Sequence, residues 1–536
     1  MNEKRLILAT VLSTAIILAW WLWLTPKQPQ TPPSATPIVK IQEKAESKII
    51  SQKQVGEEKT ETFENGQVKV VFASRGARII HYYIKEGADS SKFVDMILPP
   101  AKIQFETKIF ETFPGAYFSI ISRSSDSISF SAMVDGLKVR KDFFFNPNNL
   151  NEIRVSLKNT SGKFKEINMT TTWGPGIGCD PDQRKEEVSL MRVVTAERTM
   201  KKTLRITTLK PGEYSLSGYS WIGMDNRYFC VIALNPCAPV SCGHFDQITV
   251  SKETDEKLFM VNLSTRIALA AGAETTFNIP YYMGPKDYSK LVQIGFGLDE
   301  IVDFGFFAPL AKLAFYCLKY FHKVTGNFGV AIIILTVIIQ ALFYPLTIKS
   351  YKASAGMRLL QPKIKVLQGQ FSKDPKRLNA EMMNLYKTQK VNPLSGCLPM
   401  LIQLPIFWAL FVTLRNTFEL RRAPFMLWIT DLTVPDLLFS AFGQPIRMLP
   451  LLMGASMYIQ QKLSGAAADP SQKLLVYMMP VMFTFIFWNF PSGLVLYWLV
   501  NNIIGIAIQY AITMKAESEL PRSNIIEGEI VESKKK

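Results

Sequence analysis

Residues 331–347 read "AIIILTVIIQALFYPLT" and lie inside 329–348, twenty residues without a charge. An α-helix needs about 20 apolar residues to cross a hydrocarbon core of about 30 Å, so this stretch predicts a membrane span. Gln340 stands near its middle. A side-chain amide carries donors and an acceptor that hydrocarbon cannot satisfy. Gln340 therefore predicts a polar partner on another helix, or water inside the membrane.

Other stretches of this kind surround it. Residues 394–414 are uncharged and hold Pro399 and Pro405, which should bend a helix. Residues 448–461, 474–490 and 493–514 follow, with 14, 17 and 22 residues. The 14-residue stretch reads as a span in a thinned bilayer, with a buried or re-entrant segment as the alternative. Residues 6–24 follow Lys4 and Arg5, carry Trp20, Trp21 and Trp23, and lack a small-x-small cleavage site. They read as an uncleaved anchor rather than a signal peptide. The fold expected is a polytopic α-helical membrane protein with six transmembrane helices, the anchor plus a five-span core over 326–514.

Charge orients the chain. Residues 349–390 hold ten Lys and Arg against two acids, which marks a cytoplasmic segment. Alternation then puts 416–446 outside, 462–473 inside, "FPSG" outside and both termini inside. The 536 residues carry a net charge of +17 and a mean hydropathy of +0.11. No nucleic-acid module accompanies the basic excess, so it belongs to cytoplasmic loops rather than to a nucleic-acid surface. Within 349–390, Met357, Leu360, Ile364 and Leu367 form one apolar stripe, and Leu378, Met382 and Leu385 another. Asp374 caps the second helix with Pro375 at its first position. A helical hairpin is expected, with a solvated loop as the alternative. Lys363, Lys365, Lys376 and Arg377 would offer it to a nascent chain or ribosome.

Residues 25–58, rich in Pro, Gln, Thr and Lys, read as a linker. Residues 59–300 turn to β-branched and aromatic alternation, as in "DSISFSAMVDGLKVRKDFFF", where Asp135-Gly136 signals a hairpin. A large β-sandwich on the outer side follows. Its Cys179, Cys230, Cys237 and Cys242 face an oxidising compartment, which favours disulfides, the crowded Cys230-to-Cys242 region first. Zinc is the rival, but there is no CxxC and His244 is the only nearby histidine. Trp173 and Trp221 suit core packing better than stacking on a sugar. In 301–325, Phe306, Leu310, Leu313, Cys317 and Phe321 recur at helical spacing opposite Lys312, Lys319 and Lys323. This is an amphipathic helix lying in the interface, or one capping the β domain. Residues 515–536, five basic and five acidic, read as a flexible tail.

The spans themselves carry polar residues. Thr336 and Gln340 are four apart, as are Tyr497 and Asn501, with Asn502 adjacent. Gln403 and Asn489 lie in two other spans. They read as interhelical hydrogen bonds or, being spread over four helices, as the lining of a wet cavity. No intramembrane acid pair or serine–lysine dyad stands out, so no enzyme chemistry, metal or cofactor is expected. A small-solute transporter is the competing class, but residues 329–414 and 448–514 show no repeat.

"YPLTIKSYKASAGMRLLQPKIKVLQ", "EMMNLYKTQKVNPLSGCLPMLIQLPIFWALF", "FPSGLVLYWLVNN" and "WGPGIG" together resemble the YidC membrane protein insertases of Gram-negative bacteria. The resemblance implies a monomeric inner-membrane protein that moves hydrophobic segments of new proteins from the cytoplasm into the bilayer. It also implies partnership with the Sec translocon and a folding-chaperone role. Thr336, Tyr497 and Asn501 match the family's groove positions. Gln340 stands where that family has an arginine, so a mechanism needing a fixed positive charge there is not implied for this chain.

Overall fold

The computed structural model describes residues 58–85, 93–98, 103–109, 116–146, 150–179, 183–198, 204–216, 219–234, 246–252, 258–372, 374–389, 398–464 and 470–518. The expected anchor, nearly all of the linker, Cys237, Cys242 and the end of the tail lie outside them. The chain forms two compact units, 31–302 and a second containing 303–536.

In the first unit, two nine-stranded antiparallel sheets face one another. One runs in the order Thr60–Glu64, Val68–Ala73, Arg78–Lys85, Ile103–Ile109, Lys165–Gly174, Phe259–Leu269, Gln247–Lys252 and Gly212–Ser215, with Phe93–Asp95 beside Arg78–Lys85. The other runs Leu204–Leu209, Arg192–Arg198, Tyr219–Asp225, Phe229–Leu234, Glu274–Pro285, Asn151–Asn159, Leu137–Phe144, Ser127–Val134 and Ser119–Arg123. Period-two alternation aims Ile153, Val155 and Leu157 inward. The inner faces meet through Phe72 and Phe143, 4.7 Å apart between ring centroids. Asp135 and Gly136 close their hairpin with φ of 48° and 69° over the pair Val134–Leu137, a left-handed turn that matches strand twist. Trp173 and Trp221 are fully buried in this core, so neither offers a platform for a sugar.

Two short helices belong here, α1 (Arg184–Ser189) and α2 (Tyr288–Ile294), the latter capped by the Asp287 side chain on the Lys290 N–H. A buried charge cluster lies nearby. Asp225 accepts from Arg192 Nε at 2.9 Å and from Lys286 Nζ at 2.8 Å. Such partners offset the desolvation of a buried carboxylate. Opposite Asp225 in the strand register stands Cys230. It is a buried free thiol in a strand interior; Cys237 and Cys242, expected to lie in the same crowded region, are outside the described residues.

The second unit is helical: α3 (Ala308–Thr325), α4 (Phe328–Leu359), α5 (Gln361–Gln370), α6 (Pro375–Thr388), α7 (Leu398–Asn416), α8 (Met448–Ser464), α9 (Pro470–Phe487) and α10 (Ser492–Ser518). Among the described residues, Phe328–Ala353 and Ser492–Met514 are long and apolar enough to cross a membrane, and Tyr477–Phe487 is a shorter apolar stretch. The helix expected in 301–325 exists, and Leu310, Cys317 and Phe321 of its expected stripe pack against the bundle core. Ala311, Ala314, Phe315 and Leu318 face inward while Leu313 is 57% exposed. Small alanines, which hydropathy spacing underweights, let α3 approach the bundle closely. Helix α4 continues to Leu359 because nothing between 349 and 359 breaks it, so the first part of the expected hairpin belongs to α4. The hairpin proper is α5 and α6, with Asp374 accepting from the Arg377 N–H and Pro375 in the first turn. Lys363, Lys365, Lys376 and Arg377 are exposed. Within the bundle, Leu335, Leu410, Met453 and Val495 form the apolar centre.

The Cys230 thiol is pushed up from its ordinary range by burial, and only a thiolate attacks an alkylating reagent. Cys230 should therefore resist maleimide near neutral pH in the native protein and react at once in urea. Peptide mapping of the labelled protein reads this.

Candidate functional site

Five helices wall a cavity of about 240 Å³, room for several waters at about 30 Å³ each. Gln340, Thr347 and Tyr351 enter it from α4, Gln403 from α7, Gln460 and Gln461 from α8, and Asn501 and Asn502 from α10. Met479 and Phe483 of α9 add an apolar wall. The polar groups pair between helices. Gln340 Nε2 donates to Asn501 Oδ1, and Gln403 Nε2 to the Tyr497 hydroxyl. Gln460 Nε2 donates to the Tyr351 hydroxyl at 3.2 Å, and Asn502 Nδ2 to Ser456 Oγ at 3.0 Å.

The cavity occupies one half of the bundle. The starts of α4, α8 and α10 share an end, because segment 417–446 bonds to all three. Asn327 Nδ2 donates to Phe425 O at 2.9 Å, the Leu449 N–H to Asp436 Oδ2 at 3.0 Å, and the Ser492 N–H to Val434 O at 2.8 Å. The polar lining lies beyond that end, at 340–351, 460–461 and 501–502. Toward the shared end an aromatic layer takes over. Trp498 stands 5.1 Å from Phe407 and 5.2 Å from Phe487, Phe487 is 5.0 Å from Phe490, and Phe490 is 5.4 Å from Phe411.

Of the residues expected from sequence, Gln340, Gln403, Asn501 and Asn502 line the cavity. Thr336 is fully buried and donates to the Ile332 carbonyl of its own helix at 2.7 Å, as threonines in helices do. Tyr497 lies behind the wall, holding Gln403. Asn489 is elsewhere, its Oδ1 accepting from Arg447 Nη1 at 2.5 Å near the shared end. Sequence reasoning passed over Tyr351, Gln460 and Gln461. The adjacent amides at 460 and 461, closing the shortest apolar stretch, were the available signal. Tyr351 was masked by the basic residues around it.

Among the described residues, two helices of membrane-crossing length in a bundle with a polar cavity, together with a separately folded β-sandwich, point to a membrane protein. Residues 320–519 match the family model described as 60Kd inner membrane protein, and 95–317 the one described as YidC periplasmic domain. A relative from Endomicrobium trichonymphae, a membrane protein insertase YidC, is 40% identical over 456 residues, 84% of each chain. Another from Oleidesulfovibrio alaskensis is 32% identical over 561 residues, covering 96% of this chain and all of that one. A solved structure of an active YidC insertase with its first transmembrane domain resolved aligns over 85% of this chain and 93% of that one, at 18% identity and a TM-score of 0.39. The chain belongs to the YidC family of membrane protein insertases. Membership makes it a bacterial inner-membrane protein whose β unit is a periplasmic domain.

Gly505 lets α10 approach the Tyr351–Gln460 pair: a Cβ there would stand 2.8 Å from both the Gln460 Nε2 and the Tyr351 hydroxyl. Gly505→Ala is expected to push these two side-chain ends apart and break their hydrogen bond, at a cost of about 1 kcal/mol, read as a small fall in the unfolding midpoint in detergent. Gly369→Ala, with open space around it, should not lower it.

Proposed function

We propose that this chain inserts hydrophobic segments of newly made proteins into the inner membrane through the polar cavity between its helices. The observation that carries the reading is the set of neutral, interhelical amide and hydroxyl pairs lining that cavity. Interhelical hydrogen bonds inside a membrane are worth only about 0.6 kcal/mol on average. They stabilise the cavity when it is empty of substrate, yet exchange readily for water or for the polar flanks of a substrate. A polar flank enters the cavity partway while the apolar segment beside it slides between helices into lipid. The basic hairpin marks the cytoplasmic end, so the lining opens there and the aromatic layer closes the periplasmic side. No covalent bond forms or breaks, so the activity is transfer and not enzymatic conversion.

The remaining assignments are of the same standing. The chain crosses the membrane six times with both termini cytoplasmic, works as a monomer alone or beside the Sec translocon, and assists folding after insertion. Its α5–α6 hairpin meets the nascent chain or ribosome first, through exposed Lys363, Lys365, Lys376 and Arg377 and the half-buried Leu378, Met382 and Leu385. Gln340 supplies dipoles instead of a fixed charge, so acidic substrates gain no special attraction.

The groove reading is tested on insertion rate. Gln340→Arg should be tolerated, and Gln340→Leu should slow insertion modestly because Gln403, Gln460 and Asn502 still hydrate the cavity. Gln340→Leu, Gln403→Leu and Asn501→Leu together should slow it far more. A normal rate in the triple variant would show that these amides are only packing. Deleting 361–389 should abolish insertion while leaving the spans folded by protease protection; unchanged activity would remove the hairpin from the pathway.

A further inference from the structure

Segment 417–446, between α7 and α8, is stitched to the bundle at many points. Besides the bonds to Asn327, Leu449 and Ser492, Ser492 Oγ donates to Asp431 O at 2.7 Å, and within the segment Asp436 Oδ2 accepts from Trp428 Nε1 at 3.0 Å. A segment so held has turn tips with fixed positions.

Two tips project. The first is a tight turn closed by the Phe425 N–H on Ile429 O at 3.0 Å and the Ile429 N–H on Met426 O at 3.1 Å. The second is the hairpin of β-strands Phe439–Ala441 and Gln444–Ile446. At the tips, Leu427 has φ 55° and Phe442 φ 51°. Glycine, asparagine and aspartate adopt that left-handed backbone at least cost, and they are also the residues water favours at a turn. Here a leucine 83% exposed and a fully exposed phenylalanine take it. Met426, Leu437 and Phe439 are exposed beside them in the chain.

We propose that Leu427 and Phe442 are immersed in the periplasmic leaflet, among the upper acyl chains of the phospholipids. The inference rests on the membrane placement of the helices given above. Position argues for lipid, because the segment sits at the shared ends of α4, α8 and α10, where the bilayer surface must lie. The exposed apolar side chains also continue into α8 through Leu451 and Leu452. Helix length argues the same way. The 17 residues of α8 span about 25 Å at 1.5 Å per residue, short of a core of about 30 Å. Apolar tips below the headgroups cover the missing depth without stretching the helix. Two rigid apolar points at one end also fix the tilt of the bundle against the leaflet.

The test uses the purified full-length protein in liposomes of phosphatidylethanolamine and phosphatidylglycerol. Phe442 or Leu427 is replaced by the photo-crosslinker p-benzoyl-phenylalanine, with Leu342 of α4 as a lipid-facing control and Phe164 of the β unit as a water-facing one; both are exposed. Mass spectrometry should find phospholipid adducts at 442, 427 and 342 and none at 164. Adducts at 342 but not at 442 or 427, or crosslinks from 442 to a second copy of the protein, overturn the inference and leave the groove reading standing. No adduct at 342 overturns the placement of the helices, and the inference with it.

Discussion

Polar groups inside a low-dielectric bundle must find partners, and this requirement organises the helical unit. Gln340 and Asn501 tie α4 to α10, Asn502 and Ser456 tie α10 to α8, and Gln460 and Tyr351 tie α8 back to α4. The ring closes around the cavity, and Gln403 brings in α7 through Tyr497. Remove the constraint and nothing selects this arrangement over other packings of apolar helices, because hydrocarbon solvates leucine on every face equally. The same bonds that specify the bundle leave a polar surface on its inner side.

The ends of the helices follow a different logic. At the shared end, Asp436 joins Trp428 to the first turn of α8, where a carboxylate suits the helix dipole. Aromatic rings from α7, α9 and α10 then fill the space that the polar groups leave. Rings pack at 5–6 Å with favourable edge and offset contacts, which gives an apolar layer beneath a hydrogen-bonded one. The bundle is thus graded along its axis, from amides to aromatics.

Much of this was legible in sequence, because it rests on local pattern. The Asp135-Gly136 turn, the Asp374 cap and the alternation in 151–159 are decided by neighbouring residues, and the structure has all three. Gln340 declared itself because an amide in an uncharged run is costly wherever it sits. What sequence could not supply was direction across helices. Thr336 shares a face with Gln340, yet satisfies its hydroxyl on its own backbone and stays out of the cavity. Tyr351 and Gln460 are 109 residues apart, and only the packing of both α4 and α8 against α10 brings them together. The stripe on α3 was legible in part: Leu310, Cys317 and Phe321 pack against the core, while the inward turn of Ala311 and Ala314 is a close approach that hydropathy does not reward. Cys230 had its compartment read correctly and is a buried free thiol in a strand interior.

The aromatic layer has an electrical consequence. On the proposed reading the cavity is an arm of the cytoplasmic water, and a membrane potential drops where water ends. The voltage that elsewhere spreads over about 30 Å of hydrocarbon then falls mainly across the rings of Phe407, Trp498, Phe487 and Phe490. A charge carried through that layer meets the full electrical work, about 2.3 kcal/mol per 100 mV, within a few ångströms. The local field is correspondingly steep. With a neutral amide at 340, no fixed charge of that residue offsets it, so the sign of a passing flank is weighed by voltage rather than by a binding partner.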